Sequence, residues 1–104
     1  MARMLVIYRR PADVVAFDEH YFSVHVPLAK ALPGLLKYET SRGPIAPLAG
    51  ASDTHLIALL QFASLQAIKD AFASELGRAC AADRKRLAPN DQDVQIFLFD
   101  DQAL

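Results

Sequence analysis

The sequence has a single cysteine and no tryptophan among its 104 residues. One thiol can form neither an intramolecular disulfide nor the paired thiols of a CxxC redox or metal motif. Cys80 stands among small residues in RACAAD, where the charged neighbours are only Arg78 and Arg84. We therefore expect a buried, unreactive thiol. This use of cysteine predicts a reducing, cytoplasmic setting.

An excess of charge of one sign is also missing. The chain has 11 basic and 12 acidic residues and a net charge of −1, so it lacks the basic surface that nucleic-acid binding needs. The one basic run, DRKRL at 83–87, is typical of the last turn of a helix, where cations favour the dipole. The apolar run MLVIY is too short for a signal peptide or a membrane span. We expect neither nucleic acid nor membrane as a partner.

What the chain does contain is a regular alternation of strands and helices in one domain, residues 1–104. A helix capped by Asp13 should end at LPGL, and a second, capped by Ser64, should break or bend at Gly77 before a further turn to Leu87. The order strand, helix, strand occurs twice. It predicts an α+β, ferredoxin-like split βαβ fold (βαββαβ), with helices on one face of a four-stranded antiparallel sheet and strands one and three in its centre. The predicted strands are 4–8, 35–41, 55–62 and 93–100.

The last strand is apolar on both faces. Val94, Ile96 and Leu98 alternate with Phe97 and Phe99, so both faces of the sheet carry large apolar side chains. Helices cover only one face, and the 53% hydrophobic content is high for so short a chain. We therefore expect a homodimer in which two sheets pack face to face.

The first helix has a histidine in its apolar stripe. Phe17, Tyr21 and His25 are spaced four apart, Leu28 lies close beside them, and Pro27 removes a backbone N–H next to His25. Such a kink opens space between helix and sheet, which indicates a cavity and a partly desolvated, neutral imidazole. The stripe is expected to include Val14 and Val24 as well. His20, five residues before His25, is expected on another face and exposed to solvent, so we predict no metal site.

The segments YRRP, FDEHYFSVHVPLAKALPGLLKYE, HLIALLQF and AFASELGRACAAD resemble the EthD-type proteins of the dimeric α+β barrel superfamily. The likeness covers nearly the whole chain. It is densest from Phe17 to Glu39, where the pattern F-x-x-H-Y-x-x-x-H-x-P-L is complete. It implies a ferredoxin-like subunit whose sheet pairs with that of a second copy. The loop at 43–54 carries no motif that we can match.

The resemblance also places the candidate site. The histidine of the family pattern falls on His25, and the PGLxKYE segment puts Tyr38 on the second strand, facing the helix. These two are the predicted catalytic residues, His25 as acid–base and Tyr38 as hydrogen-bond donor. Phe17, Tyr21 and Leu28 are the predicted substrate-binding residues.

Three functions are compatible with this pattern. The first is an enzyme, an isomerase, cyclase or cofactor-free oxidoreductase, that acts without metal on a small apolar carbonyl or lactone intermediate of oxidative catabolism. The second is a non-catalytic binding or carrier module that assists a cytochrome P-450 type degradation system. The third is a haem-associated or cofactor-free monooxygenase, for which His25 would be the axial ligand of a haem. The family resemblance leaves the reaction open.

A first prediction follows from the single thiol. Replacement of Cys80 by serine should leave ligand binding or turnover unchanged, with at most a loss of stability if the side chain is buried. Melting temperature and activity of the purified variant test this. Loss of activity in a folded Cys80→Ser variant would instead indicate thiol chemistry.

Overall fold

The computed structural model describes residues 1–104 and has the predicted order of strands and helices. Helices α1 (Val14–His20) and α2 (Val26–Lys30) are joined by a π-helical turn (Tyr21–His25), while α3 (Leu65–Ala73) is followed directly by α4 (Glu75–Leu87). A short 3-10 turn at Asp91–Asp93 leads into the last strand. The four strands are β1 (Ala2–Arg9), β2 (Lys37–Thr40), β3 (Thr54–Phe62) and β4 (Val94–Asp100).

The strands form one antiparallel sheet in the order β2-β3-β1-β4, as predicted. The long central strands β1 and β3 alternate between buried and half-buried residues, so one face of each lies under the helices. This face and the helices above it form the hydrophobic core. None of the helices has the length and apolar character that a membrane span requires.

Side-chain caps fix where the helices begin. Asp13 accepts a hydrogen bond from the backbone N–H of Ala16, and Ser64 accepts one from Ala67, each at 3.0 Å, which confirms both predicted N-caps. The predicted break at Gly77 was wrong by three residues. Ser74 ends α3 and caps α4, and Gly77 lies in the first turn of α4.

Gly77 has a packing role at this corner. A Cβ atom at this position would come within 2.1 Å of the carbonyl oxygen of Ala71, which is backbone and cannot move aside easily. The glycine therefore allows α4 to begin directly against the end of α3, rather than ending a helix.

The π-helical turn explains which face of the first helical segment is buried. The backbone N–H of Val26 bonds to the carbonyl of Tyr21, five residues back, so this turn holds more residues than an α-helical one. Pro27 has no N–H for the usual bond to Ser23, and the wider turn accommodates that loss. Buried residues consequently recur every fourth position at Phe17, Tyr21, His25 and Ala29. Val24 leaves the predicted stripe and is 41% exposed.

The face of the sheet that points away from the helices is open. Cross-strand pairing puts Phe97 of β4 opposite Leu5 of β1, and Leu5 opposite Leu59 of β3, so apolar side chains run across this face. Phe97 and Phe99 are 46% and 39% exposed. A continuous exposed apolar surface of this kind usually marks a site of interaction with another molecule.

We therefore predict that Phe97→Glu prevents association through this face. Burial of the aromatic ring should favour a dimer, and a carboxylate in its place would have to be desolvated without a partner. Light scattering over a dilution series measures the effect. Val15→Glu is the matched control, because Val15 is an exposed apolar residue of α1 on the helix side of the sheet, and its replacement adds the same charge away from this face. A wild-type monomer at micromolar concentration would contradict the prediction.

Candidate functional site

A cavity of about 170 Å³ lies between the helices and the sheet. Its wall is largely apolar, with contributions from all four strands and from the helices. This volume is close to that of an engineered cavity of about 150 Å³ that takes up benzene, so a single small ring is the size of ligand it suits. The side chains with polar atoms on its wall are Tyr8, Tyr21, His25, Tyr38, Cys80 and Arg84.

One buried carboxylate holds two histidines beside this cavity. Asp83 on α4 is 2.9 Å from Nδ1 of His25 through Oδ2, and 2.7 Å from Nε2 of His20 through Oδ1. The side chains of His25 and Asp83 are 8% and 6% exposed, whereas that of His20 is 33% exposed. The three residues thus connect the cavity wall to the protein surface.

The prediction that His20 lies on another face, exposed to solvent, was wrong. In a regular α-helix, residues five apart point in different directions. The π-helical turn between His20 and His25 fits more residues into one turn, so the angle between the two side chains is smaller and both imidazoles point towards α4. The carboxylate bridges them through hydrogen bonds. No group of three or more His, Cys, Asp or Glu side chains in the structure is arranged to hold a metal ion.

The electrostatics of the pair favour a neutral His25. Burial lowers the pKa of the imidazole, and this outweighs the opposing effect of Asp83. For Asp83, burial would raise the pKa of the carboxyl, but hydrogen bonds from both histidines bring it below its usual range. His25 therefore donates its Nδ1–H to an ionised Asp83.

The second ring nitrogen of His25 is available to a ligand. Nε2 makes no hydrogen bond within the protein, and no fully buried side-chain nitrogen or oxygen is left without a partner. Nε2 is consequently accessible, and the residue lines the cavity. A neutral imidazole with Nδ1–H fixed by a carboxylate presents its lone pair at Nε2, which is the arrangement of a general base.

Two tyrosines stand beside the histidine. The hydroxyl groups of Tyr21 and Tyr38 are 2.5 Å apart, and the Tyr21 ring centroid is 5.2 Å from that of His25. Burial raises the pKa of Tyr38 to about 12 and also raises the pKa of Tyr21, so both remain protonated. One hydroxyl donates to the other, which leaves the second O–H free to donate to a ligand.

The structure brings together three of the five predicted site residues. Tyr21, His25 and Tyr38 line the cavity, and Tyr38 faces the helices as its place on β2 predicts. Phe17 and Leu28 do not reach it. Phe17 instead packs in the core, edge-on to Tyr8 at 5.3 Å and stacked on Tyr21 at 6.0 Å between ring centroids.

Two residues that sequence reasoning missed are Asp83 and Arg84. Both belong to the DRKRL run, whose basic residues do occupy the last turn of α4, as predicted. The missed signal is the position of Asp83, three residues after the buried Cys80 and four before Leu87, which places a carboxylate on the apolar stripe of α4. A charge on such a stripe indicates a partner inside the fold.

Cys80 is buried and lines the cavity, as a small apolar residue would. Burial raises the pKa of its thiol to about 11, so the reactive thiolate is disfavoured.

A second histidine–carboxylate pair lies outside the cavity. Nε2 of His55, at the start of β3, is 2.7 Å from Oδ1 of Asp18 on α1. The pair borders a wide, open and largely polar groove that includes Arg42 and Gly43 from the loop between β2 and β3. The His55–Asp18 pair is a useful comparison for the His25–Asp83 pair, because both join an imidazole to a carboxylate but only the second lines the cavity.

A haem does not fit this cavity. His25 has an unpaired Nε2, but a porphyrin is several times larger than a single ring and the cavity holds only about 170 Å³. Its wall also has one cationic side chain, Arg84, for the two propionates of a haem.

The chain belongs to the EthD family. A model of the EthD domain matches residues 9–91. An uncharacterised 11.0 kDa protein of the thcB–thcC intergenic region of Rhodococcus erythropolis is 39% identical over 84 residues, which are 80% of each chain. The sequence-based resemblance is thereby confirmed.

Solved structures show the same fold. An EthD family protein from Bacillus halodurans matches with a TM-score of 0.87 at 26% identity, covering 98% of this chain and 99% of that one. SnoaB, a cofactor-independent oxygenase from Streptomyces nogalater, matches at 0.70 and 14% identity, over 99% and 94% of the two chains. A dimeric ferredoxin-like protein from Thermobifida fusca matches at 0.67 and 18%, over 94% and 88%.

The lowered pKa of His25 predicts a specific pH dependence of stability. Below its ordinary value of 6.5 the unfolded chain takes up a proton that the folded chain does not, so the free energy of unfolding should fall as the pH is lowered from about 7 to 5. His25→Gln keeps a donor to Asp83 but cannot titrate, and should reduce this slope. Denaturant unfolding at several pH values measures it, with pH 8 as the common reference. Equal slopes for the two proteins would contradict the assignment.

Proposed function

We propose that the cavity binds a small, mostly apolar carbonyl compound or lactone and that His25 acts on it as a metal-free acid–base catalyst. The observation that carries the proposal is the hydrogen bonding of the His25 imidazole. Its Nδ1–H is held by Asp83 at 2.9 Å, while Nε2 is unpaired at the wall of an apolar cavity. This combination fixes the tautomer, keeps the ring neutral and directs its lone pair at the ligand.

The chemistry that fits is removal of a proton from a carbon next to a carbonyl group. Nε2 of His25 takes the proton, and the resulting imidazolium is stabilised by the carboxylate of Asp83. The free hydroxyl of the Tyr21–Tyr38 pair donates a hydrogen bond to the enolate oxygen that forms. Return of the proton to a different carbon completes an isomerisation. In a cyclisation the enolate carbon instead attacks a second carbonyl group of the ligand, and Nε2 of His25 returns the proton to the alkoxide oxygen that forms.

A cofactor-free oxygenase is the second candidate. It would begin with the same proton removal from a CH₂ group, after which the carbanion adds to molecular oxygen and takes the proton back from His25 as a hydroperoxide. Cleavage of the O–O bond with loss of water then leaves a new carbonyl group. The observation that favours it is the likeness in fold to SnoaB, which is a cofactor-independent oxygenase. A carrier module for a reactive intermediate is the alternative without catalysis, and it would need only the cavity.

A homodimer forms part of the proposal. The open sheet face is apolar, and a structural neighbour of the same fold is dimeric. Pairing of two sheets would cover the face opposite the cavity and stiffen the strands on which Tyr38 stands.

The ring opening of 5-nitrobenzisoxazole tests the base without knowledge of the natural substrate. This single step transfers a carbon-bound proton to the base and breaks the N–O bond, giving a coloured cyanophenolate. The wild-type protein should be faster than free imidazole at equal concentration. His25→Gln should lose at least ~10²-fold, the usual scale for a removed general base. Asp83→Asn should lose rate too, because the tautomer is no longer fixed.

His55→Gln is the matched control, since it removes the other histidine that is paired with a carboxylate and lies outside the cavity. It should keep the wild-type rate. Circular dichroism and melting temperature establish that each variant is folded. A wild-type protein that binds the probe but opens it no faster than imidazole does would favour the carrier alternative over the enzyme.

A further inference from the structure

Arg84 places a permanent positive charge on the cavity wall. It stands one helical turn after Cys80 on the same face of α4, and both residues line the cavity. Its one side-chain hydrogen bond runs to the carbonyl of Ala88, at 3.1 Å, directly after the end of its own helix. No carboxylate lies within ion-pair distance of its guanidinium.

The nearest carboxylate in the sequence is already occupied. Asp83 uses one oxygen for His20 and the other for His25, and it makes no ion pair with Arg84. A half-buried cation beside apolar surface, without a counter-ion, costs free energy of solvation. An anion bound in the cavity would offset that cost.

The charge of Arg84 already acts on its surroundings. Burial is the main cause of the lowered pKa of His25, and the positive charge of Arg84 adds to it. The same charge opposes the rise in the pKa of Tyr8 that burial causes. An anionic group in the cavity would feel the same field with a favourable sign.

We propose that Arg84 binds an anionic oxygen of the ligand, so that the ligand is a small ring compound carrying one phenolate, enolate or carboxylate group. The other polar side chains of the wall are neutral donors or a neutral base, and Arg84 alone has a permanent charge. The inference rests on the proposed function in taking this cavity as the ligand site. It adds the chemical class of the ligand, since proton removal by His25 would itself create an anionic oxygen for Arg84 to hold.

Two probes of similar size and shape test the proposal, 4-nitrophenol and 4-nitroaniline. At a mildly alkaline pH the first is an anion and the second is neutral, and calorimetry gives both dissociation constants. A hydrogen-bonded charge pair predicts that wild-type protein binds the phenolate about tenfold more tightly or better. Arg84→Gln should bring the two affinities together. Arg86→Gln is the control, because Arg86 lies on the same helix but does not line the cavity.

The preference for the anion must survive in Arg86→Gln and in His25→Gln, the variant that should abolish ring opening of 5-nitrobenzisoxazole. If His25→Gln loses ring opening but still prefers 4-nitrophenolate to 4-nitroaniline, the anion-binding role of Arg84 is separated from the base role of His25. If Arg84→Gln does not fold, Arg84→Lys serves instead, and should keep a reduced preference. Equal binding of the two probes to wild type, binding of neither, or an undiminished preference after substitution of Arg84 would overturn the inference.

Discussion

The buried carboxylate of Asp83 is the constraint on which the rest of the site depends. An ionised carboxylate that is 6% exposed would be costly without hydrogen bonds, and here each oxygen accepts one from an imidazole. The two imidazoles can meet it only because the π-helical turn rotates His20 and His25 to the same side. Pro27, which cannot continue the α-helical bonding, makes that turn the favoured backbone at this point. One interaction therefore ties the first helical segment to α4.

Much of the fold could be predicted from the sequence because it depends on local periodicity. Alternation in β4 and the caps at Asp13 and Ser64 correctly indicate strands and helix starts. The failures come from two simplifications, ideal helix geometry and the propensity of single residues. A period of 3.6 residues per turn puts His20 and His25 on different faces, and helix propensity alone puts the break at Gly77 instead of Ser74.

The sequence pattern identified site residues that lie close together in the chain. It missed residues that only tertiary contacts bring to the site. His25 and Tyr38 stand in recognisable sequence contexts, and the cavity brings them together. Asp83 is 58 residues from His25, and no local rule connects them. The resulting wall separates three electrostatic roles: a neutral base, hydroxyl donors and, at Arg84, a fixed charge. The π-helical turn, β2 and α4 contribute these groups, so the sheet and both helical segments must pack together before the site exists.

The apolar character of β4 also bears on how the chain avoids aggregation. This strand lies at an edge of the sheet, with unpaired backbone groups on its outer side and apolar residues on both faces. Short apolar edge strands of this kind are templates for cross-β stacking between molecules. The run ends in Asp100 and Asp101, of which Asp101 is held by Arg3 at 2.9 Å. Acidic residues at this position act as gatekeepers, because stacked copies would bring like charges together. These charges would oppose aggregation through β4 after a chain has folded and before a second copy covers the open face of its sheet.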